Sequence, residues 1–257
     1  MTRTLGTPER TFALGWAALR SPSRAADEAR KPGGAVPALW VYLAFTVGYL
    51  LFFWLKPFDF PDRNAPFPSE MQGLWFWFRV MLWQPPLELA WMAFLLGLVE
   101  WFRQGKLGVR MVVGVAWTAF PFILMAAYRD APKAAFAAGS AVWIGLFIPL
   151  WKRAATSDWK PLVVLMLALN AIGIALLAPM ALAVAIDQPG FFTFSQAVGG
   201  LWMLVAGALA LRKLSGLRLP RAFMAVLFSM FLQIAFAFTL HLLGLVPKEI
   251  LKALLYA

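Results

Sequence analysis

Four side chains of this 257-residue chain are placed to do chemistry inside an apolar phase: Glu88, Asn170, Gln233 and His241. Each lies in a stretch dominated by apolar residues, where a polar or ionisable group is costly and calls for a partner, a ligand or a proton path. Glu88 falls one turn into the apolar segment Pro85–Phe102. It could contact an ion or substrate, or pair with Arg79. A carboxylate in the first turn of a helix is also favoured by the helix dipole alone. Glu100, the other carboxylate of that segment, is expected near its far surface. Asn170 is followed nine residues later by Pro179. An amide can bond across helices and a proline frees a carbonyl, a pairing found in broken transporter helices and in ordinary bundles alike. Ser229, Gln233 and His241 recur at i, i+4 and i+12, a narrow polar stripe expected to face other helices.

What is missing narrows the chemistry. The single histidine rules out a metal site built of histidines, and the absence of cysteine rules out disulfides, thiolate sites and cysteine nucleophiles. There is no His-Glu-x-x-His zinc motif, no glycine-rich phosphate loop, no paired-aspartate magnesium motif and no nucleophile elbow. The expectation is a protein that is not an enzyme and that carries no cofactor or metal.

The elements that must position the four residues are membrane spans. Hydrophobic residues make up 62% of the chain and charged ones 14%, outside the range of soluble domains. The purest run, Leu162–Ile186, has no charged side chain. It holds seven Leu, three Val and three Ile, worth on the order of −4 to −8 kcal/mol of insertion free energy, enough to carry Asn170 and Pro179 into the bilayer. A hydrocarbon core takes about 20 helical residues to cross. On that measure seven segments qualify: Val36–Leu55, Pro85–Phe102, Met111–Tyr128, Ala134–Trp151, Leu162–Ile186, Phe194–Leu211 and Ala222–Val246. The fourth, rich in Ala and Gly, is the weakest, and five or six spans are the alternatives. The fold class is therefore all-α, a polytopic transmembrane bundle of about seven spans with short interfacial helices.

Charge alternation tests the count independently. With seven spans, sixteen of the 23 Lys and Arg fall on the side of the N-terminal arm and seven on the other. The positive-inside rule then puts the N-terminus in the cytoplasm and the C-terminus outside, in a bacterial cytoplasmic (inner) membrane. The net charge of +11 is explained by these links and by attraction to anionic headgroups, so membrane lipids are the expected partners and nucleic acid is not. Residues 1–35 read as a cytoplasmic arm and 36–257 as one transmembrane domain. No cleavable leader is visible in the arm, so the first span is expected to direct insertion. Within the arm, Pro8 to Arg20 reads as an amphipathic helix with Phe12, Trp16 and Leu19 on one face, lying in the headgroups or packed on the bundle. In the longest link, Lys56–Gln84, Ser69–Trp83 reads as an interfacial or re-entrant helix carrying Trp75-Phe76-Trp77-Phe78. Pro85-Pro86 then open the second span.

The order of features resembles the bacterial branch of the Yip1 family of integral membrane proteins. The residues that carry the likeness are Trp16-Ala-Ala-Leu-Arg-Ser-Pro-Ser-Arg-Ala-Ala-Asp-Glu-Ala-Arg with Pro37, the run Thr118-Ala-Phe-Pro-Phe-Ile-Leu, and Leu201-Trp202 through Leu217 followed by Arg221-Ala222. Members have fewer spans than the seven counted here, and the Asp-Leu-Tyr-Gly-Pro motif of the eukaryotic branch is absent. The resemblance implies a non-enzymatic protein with a membrane-organising or partner-binding role, its partner another membrane protein or a second copy. Eukaryotic relatives bind Rab-type GTPases, and no such role carries over. The alternative is a small transporter or lipid-translocating protein with Glu88, Asn170, Gln233 and His241 along a path.

Overall fold

Among the described residues, seven helical segments are long and apolar enough to cross a membrane. The computed structural model describes residues 7–57, 59–61, 71, 73–128, 132–154 and 156–256. Among them the chain forms twelve helices and no strand. Two helices, α1 (Thr7–Arg20) and α2 (Pro22–Ala29), precede the first span, α3 (Ala35–Leu55). The second span is α4 (Leu74–Arg103) and the third α5 (Leu107–Ala127). The fourth is made of α6 (Lys133–Gly145) and α7 (Ile148–Arg153), and the fifth of α8 (Thr156–Leu169) and α9 (Ala171–Ala185). The last two are α10 (Pro189–Ser215) and α11 (Leu219–Leu242), after which α12 (Lys248–Tyr256) closes the chain. The fold is the polytopic bundle that hydropathy predicts.

Sequence explains the breaks. Pro149 in the first turn of α7 cannot donate to the preceding turn, so the fourth span is interrupted at Leu146 and Phe147. Asn170 divides the fifth by turning its own amide back on Met166 O, at 3.2 Å. Gly216 ends α10 in the left-handed conformation, φ 72°, its N–H donating to Arg212 O at 3.0 Å.

Interior and periphery separate cleanly. About half of the apolar window is buried in α4 (50%) and in the fifth span (56%), against 22% in α5 and 28% in α3. The first pair forms the centre, and the second presents Val and Leu side chains outward, where lipid is the solvent. The main core joins α1, α2, α4, α8, α10 and α11 around Leu95, Phe102, Leu165, Leu169 and Val226. Phe147, at the break in the fourth span, stacks on Trp117 with 4.5 Å between ring centroids and meets Phe94 edge-on at 5.0 Å. A second core at the opposite end joins Phe53, Trp77, Val80, Ile250 and Leu251, which is how α12 is held.

Two expectations for the ends of spans are corrected. No separate interfacial helix ends before Pro85: α4 runs unbroken from Leu74 through Pro85 and Pro86. The start of the expected element, at Ser69, lies outside the described residues. The arm helix α1 packs on the bundle, but by Leu14 and Ala18, both buried, and not by Phe12 and Trp16. Those two aromatic rings stack on each other at 6.2 Å and point outward, with the Arg20 guanidinium 4.5 Å from the Trp16 centroid. Small residues permit the close approach to α3, while the aromatic face takes the interfacial position that its amphipathic rings favour.

The basic links meet at one end of the bundle. Arg221, opening α11, donates to Phe102 O at 2.7 Å, Arg103 O at 3.2 Å and Gly105 O at 2.7 Å. The first two bonds satisfy carbonyls that α4 leaves open at its C-terminus, and the third holds the link that follows it. Arg30, past the end of α2, donates to Leu214 O of α10 at 2.5 Å, and Lys213 lies 3.5 Å from Asp27. Arg110 stacks on Trp101 at 3.9 Å.

Candidate functional site

The seam between α4 and α11 fixes where the polar residues go. Trp91 Nε1 donates to Ser229 Oγ at 2.8 Å, and Ser229 donates onward to Val226 O at 2.7 Å. One turn away, Gln233 Nε2 donates to Leu87 O at 3.3 Å. One turn back along α4 is thus matched by one turn forward along α11, so the helices run antiparallel in a defined register. The stripe expected at Ser229 and Gln233 does face another helix.

Glu88 follows Leu87 on α4 and is buried, 8% exposed, with Oε2 lacking a hydrogen-bond partner. Because α4 begins at Leu74, Glu88 is the fifteenth of its 30 residues. The expected position one turn inside the outer end is therefore wrong, and the helix-dipole explanation falls with it. Pairing with Arg79 is also excluded: nine residues along a helix rotate a side chain by about 180° and move it by about 13 Å. Tyr42, on the neighbouring α3, is buried as well, 7% exposed. Glu100 behaves as expected, pairing with Arg103 at 3.0 Å at the end of α4.

Asn170 and His241 stand apart from this seam. Asn170 is buried and spends its amide on its own helix, not across the bundle. His241 Nδ1 donates to Val246 O at 2.7 Å and so fastens the turn that follows α11. Of the four predicted residues, then, Gln233 bonds the backbone of the residue next to Glu88, and the other two have local structural duties. Three cavities among the described residues are lined by none of the four. No group of three or more metal-ligating side chains occurs among the described residues.

Three participants escape sequence reasoning. Tyr42 sits among aromatic neighbours that hydropathy counts as apolar. Trp91 reads as belt or core until Ser229 is seen opposite it. Lys56 reads in the sequence as one more basic residue of a link, yet it is buried at the end of α3, its ammonium donating to Pro57 O at 3.2 Å and to Phe60 O. That burial pushes its pKa down to about 8. The only available signal for Lys56 was its place directly after an apolar run and before Pro57.

Set against known proteins, the chain matches no family model, no curated protein and no solved structure.

Proposed function

We propose that this chain is a Yip1-like, non-enzymatic integral membrane protein with a membrane-organising or partner-binding role. Its place is the bacterial cytoplasmic membrane, with α1, α2 and the basic links in the cytoplasm and the C-terminus outside. The observation that carries the reading is the dispersal of the candidate polar residues: Asn170 and His241 satisfy themselves locally, and Gln233 braces a helix seam. In support, the arm is docked on the basic end of the bundle and leaves Phe12 and Trp16 exposed as a contact surface. The residue order of the arm and of the last two spans supports the family reading.

A photo-crosslinking amino acid in place of Phe12, activated in native membranes, tests the role. A discrete protein adduct that is lost when Trp16 is also replaced by Ser supports partner binding. Adducts to lipid alone would overturn it. The transporter reading keeps one specific observation in its favour, the buried Glu88 carboxyl at mid-bundle, whose Oε2 has no hydrogen-bond partner. Proteoliposomes whose lumenal pH follows an imposed gradient faster than empty vesicles, with the difference lost in Glu88→Gln, would move the assignment there.

A further inference from the structure

A cavity of about 260 Å³ opens at the basic end of the bundle, lined by Leu96, Val99, Leu162, Leu211 and Leu214, with Arg30 at its mouth. The walls come from α4, α8 and α10, and α2 brings Arg30 over them. Leu96 lies seven residues before Arg103 at the end of α4, so the cavity reaches about 10 Å inward from the charged surface. Its depth is apolar and its rim is cationic.

The charge of Arg30 is not spent on an acid. The two carboxylates of α2 are taken: Asp27 faces Lys213 at 3.5 Å and Glu28 pairs with Lys31 at 2.5 Å. Arg30 has no carboxylate partner among the described residues, and its bond to Leu214 O uses one N–H of the five a guanidinium offers. That bond also aims the planar fork along the rim, where the remaining donors suit two oxygens of a phosphate. On the other side of the same α10 turn, Arg212 and Lys213 line a further cavity with Ser23. Arg30, Lys31, Arg212 and Lys213 outnumber Asp27 and Glu28 there, so the rim keeps a formal excess of positive charge.

We propose that this cavity binds one anionic phospholipid, with the upper part of an acyl chain between α4, α8 and α10 and the phosphate on Arg30. The volume lies just under the range of small-molecule pockets, roughly 300–1,000 Å³, which suits the part of one acyl chain next to the glycerol and leaves the rest of the lipid outside the cavity. Basic pockets between spanning helices are suited to anionic headgroups for the same electrostatic reason. The site goes beyond the proposed role and stands without it.

The test is native mass spectrometry of the full chain in detergent with equimolar dioleoyl phosphatidylglycerol and dioleoyl phosphatidylcholine. The expected result is preferential retention of phosphatidylglycerol by roughly fivefold to tenfold, which is the worth of one well-placed cation. Arg30→Gln should abolish the preference while leaving some of both lipids bound, and Leu96→Phe, which narrows the cavity, should lower retention of both. Glycerol 3-phosphate in excess should not displace the lipid. Equal retention of the two lipids by the unaltered chain, an undiminished preference in Arg30→Gln, unchanged retention in Leu96→Phe, or displacement by glycerol 3-phosphate would each overturn the site. Both variants lie at the rim or at a half-buried wall, and a monodisperse gel-filtration profile identifies any that fail to fold. Should Leu96→Phe fail, Leu214→Phe narrows the same cavity from α10.

Discussion

Replacing Ser229 by Ala should loosen α11 from α4 more than the loss of one hydroxyl implies. Ser229 is fully buried and Trp91 is 4% exposed, so the indole N–H left behind has no water to turn to. Interhelical hydrogen bonds in membranes average about 0.6 kcal/mol and reach about 1.7 kcal/mol. An orphaned buried donor in general costs about 1–3 kcal/mol. The 2.8 Å bond with both partners buried belongs at the top of the membrane range, so Ser229→Ala should cost about 1.5 kcal/mol. Trp91→Phe removes the donor as well as part of the ring, and the double variant should then show a coupling of about 1 kcal/mol between the two sites. The assay is unfolding by sodium dodecyl sulfate in mixed micelles, run on the four members of the cycle. A coupling within about 0.3–0.5 kcal/mol of zero is what independent sites give, and it would refute the antiparallel register of α4 and α11. Gln233→Leu makes a useful contrast: its bond is longer, 3.3 Å, and half-exposed, so a smaller loss is expected.

Other outcomes follow from the same geometry. An alanine methyl at Gly173 would sit 2.5 Å from Phe45 Cε2, and that ring is backed by Tyr49 at 4.4 Å. Gly173→Ala should therefore cost about 1–3 kcal/mol in the same unfolding assay, and Phe45→Ala should restore part of it; simple additivity of the two would contradict close packing of α3 on α9. Lys56, with its folded pKa at about 8 against 10.5, binds its proton less tightly than the unfolded chain does. Its contribution should make stability rise between about pH 8 and 10.5 and stay flat below pH 8. Lys56→Met should remove that rise, and equal slopes in the two proteins would show that the ammonium is not desolvated. Glu88→Gln keeps shape without charge and should change stability by less than about 1 kcal/mol, whereas Glu88→Lys should cost about 2.5–3.5 kcal/mol. Equal damage from both would mean that the carboxylate charge itself holds a partner.

The spans were legible because lipid imposes one demand, a helix of sufficient apolar length, and seven runs meet it. Their ends were not. Pro85-Pro86 reads as a helix start, but within a bundle the carbonyls that proline frees can be satisfied by neighbouring groups, and α4 carries both prolines in its interior. Moving the start of α4 back to Leu74 is what moves Glu88 from the edge to the middle. The arm shows the converse: the aromatic periodicity of Phe12 and Trp16 was visible, yet the docking face is the quieter Leu14 and Ala18, because small residues let helices approach and aromatic ones hold the interface. Tyr42 and Trp91 were hidden for a third reason. Their polar atoms matter only through what stands opposite, and pairing between helices has no period within either one.

Single-cysteine accessibility in this naturally cysteine-free chain tests the topology most directly. Cysteines placed at Lys106, Ser157 and Lys213 should react together from the side that also labels Arg24, and those at Lys133 and Lys248 from the other side. In inverted vesicles the first set should be the exposed one. Labelling of Ser157 and Lys213 from opposite sides would contradict seven spans, and exposure of Arg24 on intact cells would reverse the orientation on which the proposed role depends.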